Sequence, residues 1–99
     1  MKKILLMCMG GFSTGILVEK MKAVAKEAGE EVEIDAISTS SLDAAAENYD
    51  CLLLAPQISY LAADIEKKYP DLPLYRIQPT DYGRLNGKKI LHKALEIMK

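Results

Sequence analysis

The residue best suited to chemistry in this chain is Cys8, which ends the apolar run 4–7. The segment 9–15 follows it, with three glycines and the hydroxyls of Ser13 and Thr14, and a helical pattern then begins. This order predicts a thiol in a loop between a strand and a helix, where backbone N–H groups and the positive end of the helix dipole favour an anion. Because the same field favours a thiolate, the segment predicts a nucleophile inside its own anion site.

Nucleotide-binding loops need residues that this segment lacks. Gly10 and Gly15 have the glycine spacing of a Walker A loop, but Ile16 and Leu17 stand where that motif has Lys and Ser/Thr. The Gly-x-Gly-x-x-Gly pattern of a dinucleotide site is also missing. We therefore expect neither a nucleoside triphosphatase nor a dinucleotide-binding protein from this loop.

Cys51, the second cysteine, is not expected to pair with Cys8. It begins a predicted strand parallel to the one that Cys8 ends, so about four residues of ~3.3 Å each separate the two by ~13 Å. A disulfide needs Cα atoms within ~7 Å of each other. Cys51 is therefore predicted to fill the core.

A low-molecular-weight cysteine phosphatase is one alternative, because such enzymes use a similar strand-loop-helix site with the pattern Cys-x5-Arg-Ser/Thr. Thr14 stands at the arginine position and Gly15 at the hydroxyl position. Asp81 lies in a loop that can reach the site, although one loop aspartate is more often a cap or turn residue. The residues favour a phosphocysteine that passes its group on, and a noncatalytic anion-binding module is a third hypothesis.

The strands and helices that position Cys8 are predicted from the spacing of the hydrophobic residues. This spacing alternates along the chain between a strand pattern and a helix pattern. Strands are predicted at 2–8, 32–38, 51–55 and 72–77, and helices at 13–28, 58–69 and 90–98, with a short helix opening at 40–43 and turns at 81–83 and 86–87. This βαβαβαβα order predicts a three-layer α/β fold, a four-stranded parallel sheet of order 2-1-3-4 flanked by helices on both faces. Loops 8–13 and 55–59 meet at the switch point of such a sheet, which is where ligands bind.

Composition and net charge exclude several classes of protein. The 99 residues, 49% of them hydrophobic, fit a single domain over 1–99. A net charge of -1 and the absence of a basic cluster argue against nucleic acid as a partner. The apolar runs are too short for a membrane span or a signal peptide, so we expect a soluble, cytoplasmic protein. His92 is predicted to be a surface residue of the last helix, and neither a metal nor a cofactor is expected.

Several segments of the chain resemble the sequence of a known family. The matching positions are Cys8, Gly11, Ser13-Thr14, 17–21, 53–60 and 81–83. Over essentially the whole chain they resemble the enzyme IIB component of the lactose/cellobiose (chitobiose) class of the bacterial phosphoenolpyruvate-dependent sugar phosphotransferase system. Met9-Gly10 departs from the Ser-Ala pair of the cellobiose-type loop, so a hydroxyl contact at position 9 is missing.

The resemblance implies a phosphotransferase in which Cys8 becomes a phosphocysteine. Its group would come from a phosphohistidine of enzyme IIA and pass to a disaccharide, of the cellobiose, chitobiose or lactose type, held by the membrane enzyme IIC. The phosphoryl oxygens would be held by Met9, Gly10, Gly11, Phe12, Ser13, Thr14 and Gly15, with Pro56, Gln57 and Tyr82 as possible outer contacts. We expect a monomer that meets the inner face of the membrane only through the transporter, without inserting into it.

Overall fold

The computed structural model describes residues 2–8, 12–38, 42 and 46–98, and the side chains of these residues except 12, 13 and 38. The strands are β1 (Lys2–Cys8), β2 (Val32–Ser38), β3 (Cys51–Leu54) and β4 (Leu74–Arg76). The α-helices are α1 (Phe12–Ala28), α2 (Ala62–Lys68), α3 (Pro79–Gly83) and α4 (Gly87–Ile97), and 3-10 segments cover Ala46–Asn48 and Pro56–Leu61.

The strands form one parallel sheet in the order β2-β1-β3-β4, which confirms the predicted topology. Cys8 lies opposite Ser38 of β2, and Met7 lies opposite Leu54 of β3. The carboxyl ends of three strands are therefore level with one another around Cys8. Because the winding direction reverses between β1 and β3, this edge is the switch point of the sheet.

Burial explains why β3 is apolar throughout and why β1 is apolar from Ile4 to Cys8. All four residues of β3 are buried, as expected for a parallel strand covered on both faces. β4 is the edge strand and is shorter than predicted, because Leu72, Pro73 and Ile77 lie outside it. The Pro73 carbonyl still accepts a hydrogen bond from the Leu52 N–H at 2.8 Å, but proline has no N–H with which to extend a ladder.

The two faces of the sheet bury two separate clusters of side chains. On one face α1 and α4 contribute Leu17, Met21, Ala25, Ile90, Leu91 and Ala94. On the other face the segment Pro56–Leu61 and α2 contribute Ile58, Ala62 and Ile65, which pack against Leu5, Met7, Leu52 and Leu54. Helices cover both faces, as the three-layer prediction requires.

Three predicted boundaries need correction. The helix expected at 58–69 starts as a 3-10 segment at Pro56, because proline suits a first helical position where its missing N–H costs nothing. The turn expected at 81–83 is the short helix α3, which Pro79 opens in the same way. The turn expected at 86–87 instead starts α4, whose cap is Asn86. Of the short helix expected at 40–43, only residue 42 falls within the described ranges.

No helix in the described ranges combines the length and apolar character needed to cross a bilayer.

Candidate functional site

Cys8 occupies the last position of β1, at the switch point of the sheet. Its side chain is buried, with 6% of the residue exposed, and it packs in the cluster that contains Ala55 and Ile58. The Sγ atom lies 3.9 Å from the Ile37 carbonyl oxygen, to which the thiol donates a weak hydrogen bond. The thiol therefore lies at the carboxyl edge of the sheet, beside the segment that follows β3.

The N-terminus of α1 lies just beyond Cys8 in the chain. The helix begins at Phe12, and its first turn holds no acidic residue. The backbone N–H groups of that turn carry a partial positive charge that no carboxylate within the turn offsets. This end of α1 is consequently suited to an anion carried on the sulfur.

Thr14 is the predicted loop residue whose contacts are best defined. It is buried, with 3% of the residue exposed, and its Oγ1 lies 2.9 Å from the Tyr82 hydroxyl, at hydrogen-bond distance. The Tyr82 ring packs against the clusters on both faces of the sheet. It therefore lies across the carboxyl edge, and two residues that the sequence placed at the site are in direct contact.

Asp81, the residue before Tyr82, is also buried, but its carboxylate contacts α4. Its Oδ2 lies 3.3 Å from the Nζ of Lys89 in α4, and the same oxygen has no partner with hydrogen-bond geometry among the described residues. We interpret this contact as an ion pair rather than a hydrogen bond. Asp81 thus joins α3 to α4, which is a structural role.

The other predicted site residues that the structure describes lie in the segment after β3 and in the first turn of α1. Pro56 is half-buried at the start of its 3-10 segment, and Gln57 is exposed. Gly15 is exposed, and no described atom lies within 4 Å of the position that a Cβ would take there. Phe12 and Ser13 belong to the first turn of α1. Met9, Gly10 and Gly11 lie outside the described residues.

Cys51 is buried and free, and it lies opposite Ile4, four residues along β1 from Cys8. Burial is the main reason that the pKa of its thiol rises to about 12, with a smaller contribution from Asp50. Cys8 is also free. The prediction that Cys51 fills the core without forming a disulfide is confirmed.

Sequence reasoning missed three exposed residues around this edge. Ile16 is 49% exposed in α1, Tyr60 is 73% exposed after β3, and Arg76 is exposed at the end of β4. What they share in the sequence is position, since each lies at the carboxyl end of a strand or in the helical segment that follows one. In the described ranges no three His, Cys, Asp or Glu residues are grouped as they would be around a metal ion.

The fold and site together define a three-layer α/β protein with a buried thiol at the end of a central strand. Residues 3–93 match the family described as the lactose/cellobiose-specific IIB subunit of the PTS system, and the chain belongs to this family. It is thus a IIB component of the sugar phosphotransferase system, whose members act as phosphotransferases in sugar uptake.

Three curated relatives cover nearly the whole chain. The oligo-beta-mannoside-specific EIIB component of Bacillus subtilis (strain 168) is 38% identical, over 99% of this chain and 97% of its own. The galactose-specific EIIB component of Lactococcus lactis subsp. cremoris (strain MG1363) is 36% identical, over 98% and 96%. The cellobiose-specific EIIB component of Lactococcus lactis subsp. lactis (strain IL1403) is also 36% identical, over 98% and 96%.

Two solved structures are similar in fold. The cellobiose-specific phosphotransferase IIB component of Borrelia burgdorferi aligns with a TM-score of 0.83 and 33% identity, over 98% of this chain and 91% of that one. The lactose-specific IIB component domain of Streptococcus pneumoniae aligns with a TM-score of 0.89 over 99% and 98% of the two chains, and at 19% identity this likeness concerns the fold.

Proposed function

We propose that Cys8 carries the phosphoryl group in this IIB component. The observation that supports this assignment is its position at the switch point, directly before the α1 N-terminus whose first turn has no acidic residue. Cys51 is a poor candidate, because it is fully buried and burial raises the pKa of its thiol to about 12. Within the proposal, the segment 9–15 supplies the amides and hydroxyls that hold the phosphoryl oxygens.

The transfer consists of two displacements at phosphorus. The Cys8 thiolate attacks the phosphorus of a phosphohistidine, so that an S–P bond forms, the N–P bond breaks and the bond electrons return to the imidazole. A sugar hydroxyl oxygen then attacks the same phosphorus, the S–P bond breaks and the thiolate is restored. The hydroxyl proton leaves to solvent or to a base of the acceptor. Amides of the α1 first turn offset the charge on the equatorial oxygens in both steps.

The partners in this proposal are enzyme IIA as the phosphohistidine donor and the membrane enzyme IIC with its bound sugar as the acceptor. A IIB domain spanning 1–99 would work in the cytoplasm and at the inner face of the membrane. The curated relatives are named for an oligo-beta-mannoside, galactose and cellobiose. We propose a disaccharide of the cellobiose, chitobiose or lactose type as the final acceptor.

The assignment is tested by the mass of the intact protein after incubation with a phosphorylated enzyme IIA of this class. Wild type and Cys51→Ala should each gain one phosphoryl group, whereas Cys8→Ala should gain none. An adduct that persists in Cys8→Ala would overturn the assignment. Cys8-dependent turnover of an aryl phosphate would instead support the phosphatase hypothesis, and inorganic phosphate binding without any adduct would support an anion-binding module.

A further inference from the structure

The described segments that follow the two central strands at the Cys8 edge are poor in charge. Segments 12–16 and 55–61 contain no charged residue, although 27% of the chain is charged. The third segment at this edge, 76–83, contains Arg76 and Asp81. Because Asp81 is buried and paired with Lys89, Arg76 is the one exposed formal charge within the described residues of these three segments.

Arg76 lines an open groove of about 200 Å³ at the end of the sheet. The other lining residues are Pro56, Ser59, Ile77, Gln78 and Pro79. The Ser59 hydroxyl donates to the Pro56 carbonyl at 3.1 Å, and the Ile77 N–H donates to the Leu54 carbonyl at 2.9 Å. These hydrogen bonds fix the walls of the groove, while the guanidinium of Arg76 has no ion-pair partner among the described residues.

Two apolar side chains complete this surface. Ile16 and Tyr60 are the large hydrophobic residues that stand exposed in the described part of the chain, and both lie on segments that follow central strands at the Cys8 edge. Depletion of charge together with exposed Tyr, Arg and aliphatic side chains is the composition of the central region of a protein–protein interface. This edge therefore has the composition of a docking surface.

From these observations we propose that the Arg76 groove binds a carboxylate of the protein that donates the phosphoryl group. The inference rests on the proposed function, since it takes a phosphohistidine protein to be the partner that docks at this edge. A planar guanidinium binds a carboxylate through two parallel hydrogen bonds, which fixes the orientation of the partner as well as attracting it.

The groove lies too far from Cys8 for Arg76 to hold the phosphoryl group itself. Arg76 ends β4, and β3 lies between it and β1, so two strand spacings place its backbone roughly 10 Å from that of β1. The residues that line the groove do not include Cys8 or Thr14. The ligand of Arg76 is therefore a second group of the docked donor, held beside the reacting phosphohistidine.

The test compares Arg76→Gln and Arg76→Glu with Arg84→Gln, which removes the other arginine of the chain from an exposed position at the end of α3. The rate of Cys8 phosphorylation is measured with phosphorylated enzyme IIA at subsaturating concentration. We expect a fall of about tenfold for Arg76→Gln, a larger fall for Arg76→Glu, and a change of less than about twofold for Arg84→Gln. Added salt should slow wild type more than Arg76→Gln.

Two further measurements separate docking from reactivity. Alkylation of Cys8 by iodoacetamide should proceed at the same rate in wild type and all three variants, because Cys8 is not among the residues that line the Arg76 groove. A scan that replaces exposed acidic residues of enzyme IIA by lysine should identify one carboxylate whose replacement restores transfer to Arg76→Glu.

Equal rates for wild type and Arg76→Gln would overturn the inference while leaving Cys8 as the carrier. Slowed transfer to sugar with normal phosphorylation by enzyme IIA would also overturn it, because the groove would then serve the acceptor. Failure of wild type itself to become phosphorylated would instead count against the proposed function.

Discussion

The hydroxyl pair of Thr14 and Tyr82 is the side-chain contact that joins the first turn of α1 to α3. The two residues are far apart in the chain, yet their oxygens lie 2.9 Å apart beside the carboxyl edge of the sheet. Thr14 is buried, so its hydroxyl depends on a protein partner. The pair therefore holds the first turn of α1 against α3.

We expect Tyr82→Phe and Thr14→Val each to lower the free energy of unfolding by about 1 kcal/mol, because each leaves one hydroxyl without its partner. The double variant should lose less than the sum, with a coupling energy on the order of 1 kcal/mol. Urea unfolding of wild type, the two single variants and the double variant gives the free energies of this double-mutant cycle. Strictly additive losses would mean that the two hydroxyls do not interact in solution.

Residue types in the sequence were enough to select Cys8 and Thr14, because a thiol and a hydroxyl after a buried strand have few structural uses. The ion pair between Asp81 and Lys89 could not be predicted from the sequence, since it depends on how α3 and α4 pack. Arg76 was missed because a single arginine carries no signal until the neutrality of the surrounding surface is known.

Among the elements, α4 approaches the backbone of α1 closely at Gly87. A Cβ at this position would lie 3.0 Å from the Met21 backbone nitrogen and 3.1 Å from the Lys20 carbonyl carbon. Both atoms belong to the backbone of α1, which cannot move aside as a flexible side chain would. The first residue of α4 is therefore restricted to glycine by the neighbouring helix.

Gly87→Ala should lower the free energy of unfolding by about 1–3 kcal/mol, because the two helices must separate to admit the methyl group. Gly83→Ala is the matched control, since no described atom lies within 4 Å of the position of its Cβ. We expect the control to be neutral or slightly stabilising. Chemical denaturation of both variants checks this, and equal stability of the two would contradict the close approach.

The boundaries of β1 and α1 were predictable because long runs with strong periodicity determine them. The start of α4 was not, because it depends on contact with α1 and on a local turn. In that turn Leu85 has a φ of 54°, and the Asn86 side chain accepts from the Lys89 N–H at 3.3 Å. Leucine is seldom found in that left-handed conformation, so residue type alone gave no indication of it.

At the scale of the molecule, the sheet separates two apolar clusters, and Cys51 lies at its centre. Its thiol stays neutral in the folded protein, where burial raises its pKa from the ordinary 9.0 to about 12. In the unfolded chain the same thiol ionises near its ordinary value. Between these two values the unfolded state binds fewer protons than the folded state, so stability falls as pH rises.

Wild type should therefore lose about 1–2 kcal/mol more stability than Cys51→Ala between about pH 8 and about pH 10.5. Below the ordinary thiol pKa the contribution is fully present, and the two proteins should respond alike to pH. The comparison also removes the effect of Tyr49, whose pKa the hydrogen bond to Asp35 raises to about 12. Parallel stability curves above pH 9 would show that Cys51 is not protected as described.

The sheet order was predictable from the alternation of strands and helices, because right-handed crossovers leave few arrangements of four parallel strands. Which surface meets a partner was not predictable in that way. Ile16, Tyr60 and Arg76 come from three separate segments, and only the folded sheet brings their strand ends to one edge.

Cys8 is the final residue of a strand held on both sides by parallel neighbours, so its sulfur is attached to one of the least movable parts of the backbone. Under the proposed function, a donor and an acceptor must both reach this single fixed atom. Two proteins cannot occupy the same small area at once, so the subunit must release one before it engages the other. Sugar uptake would then depend on how quickly these encounters end as well as on how tightly they form.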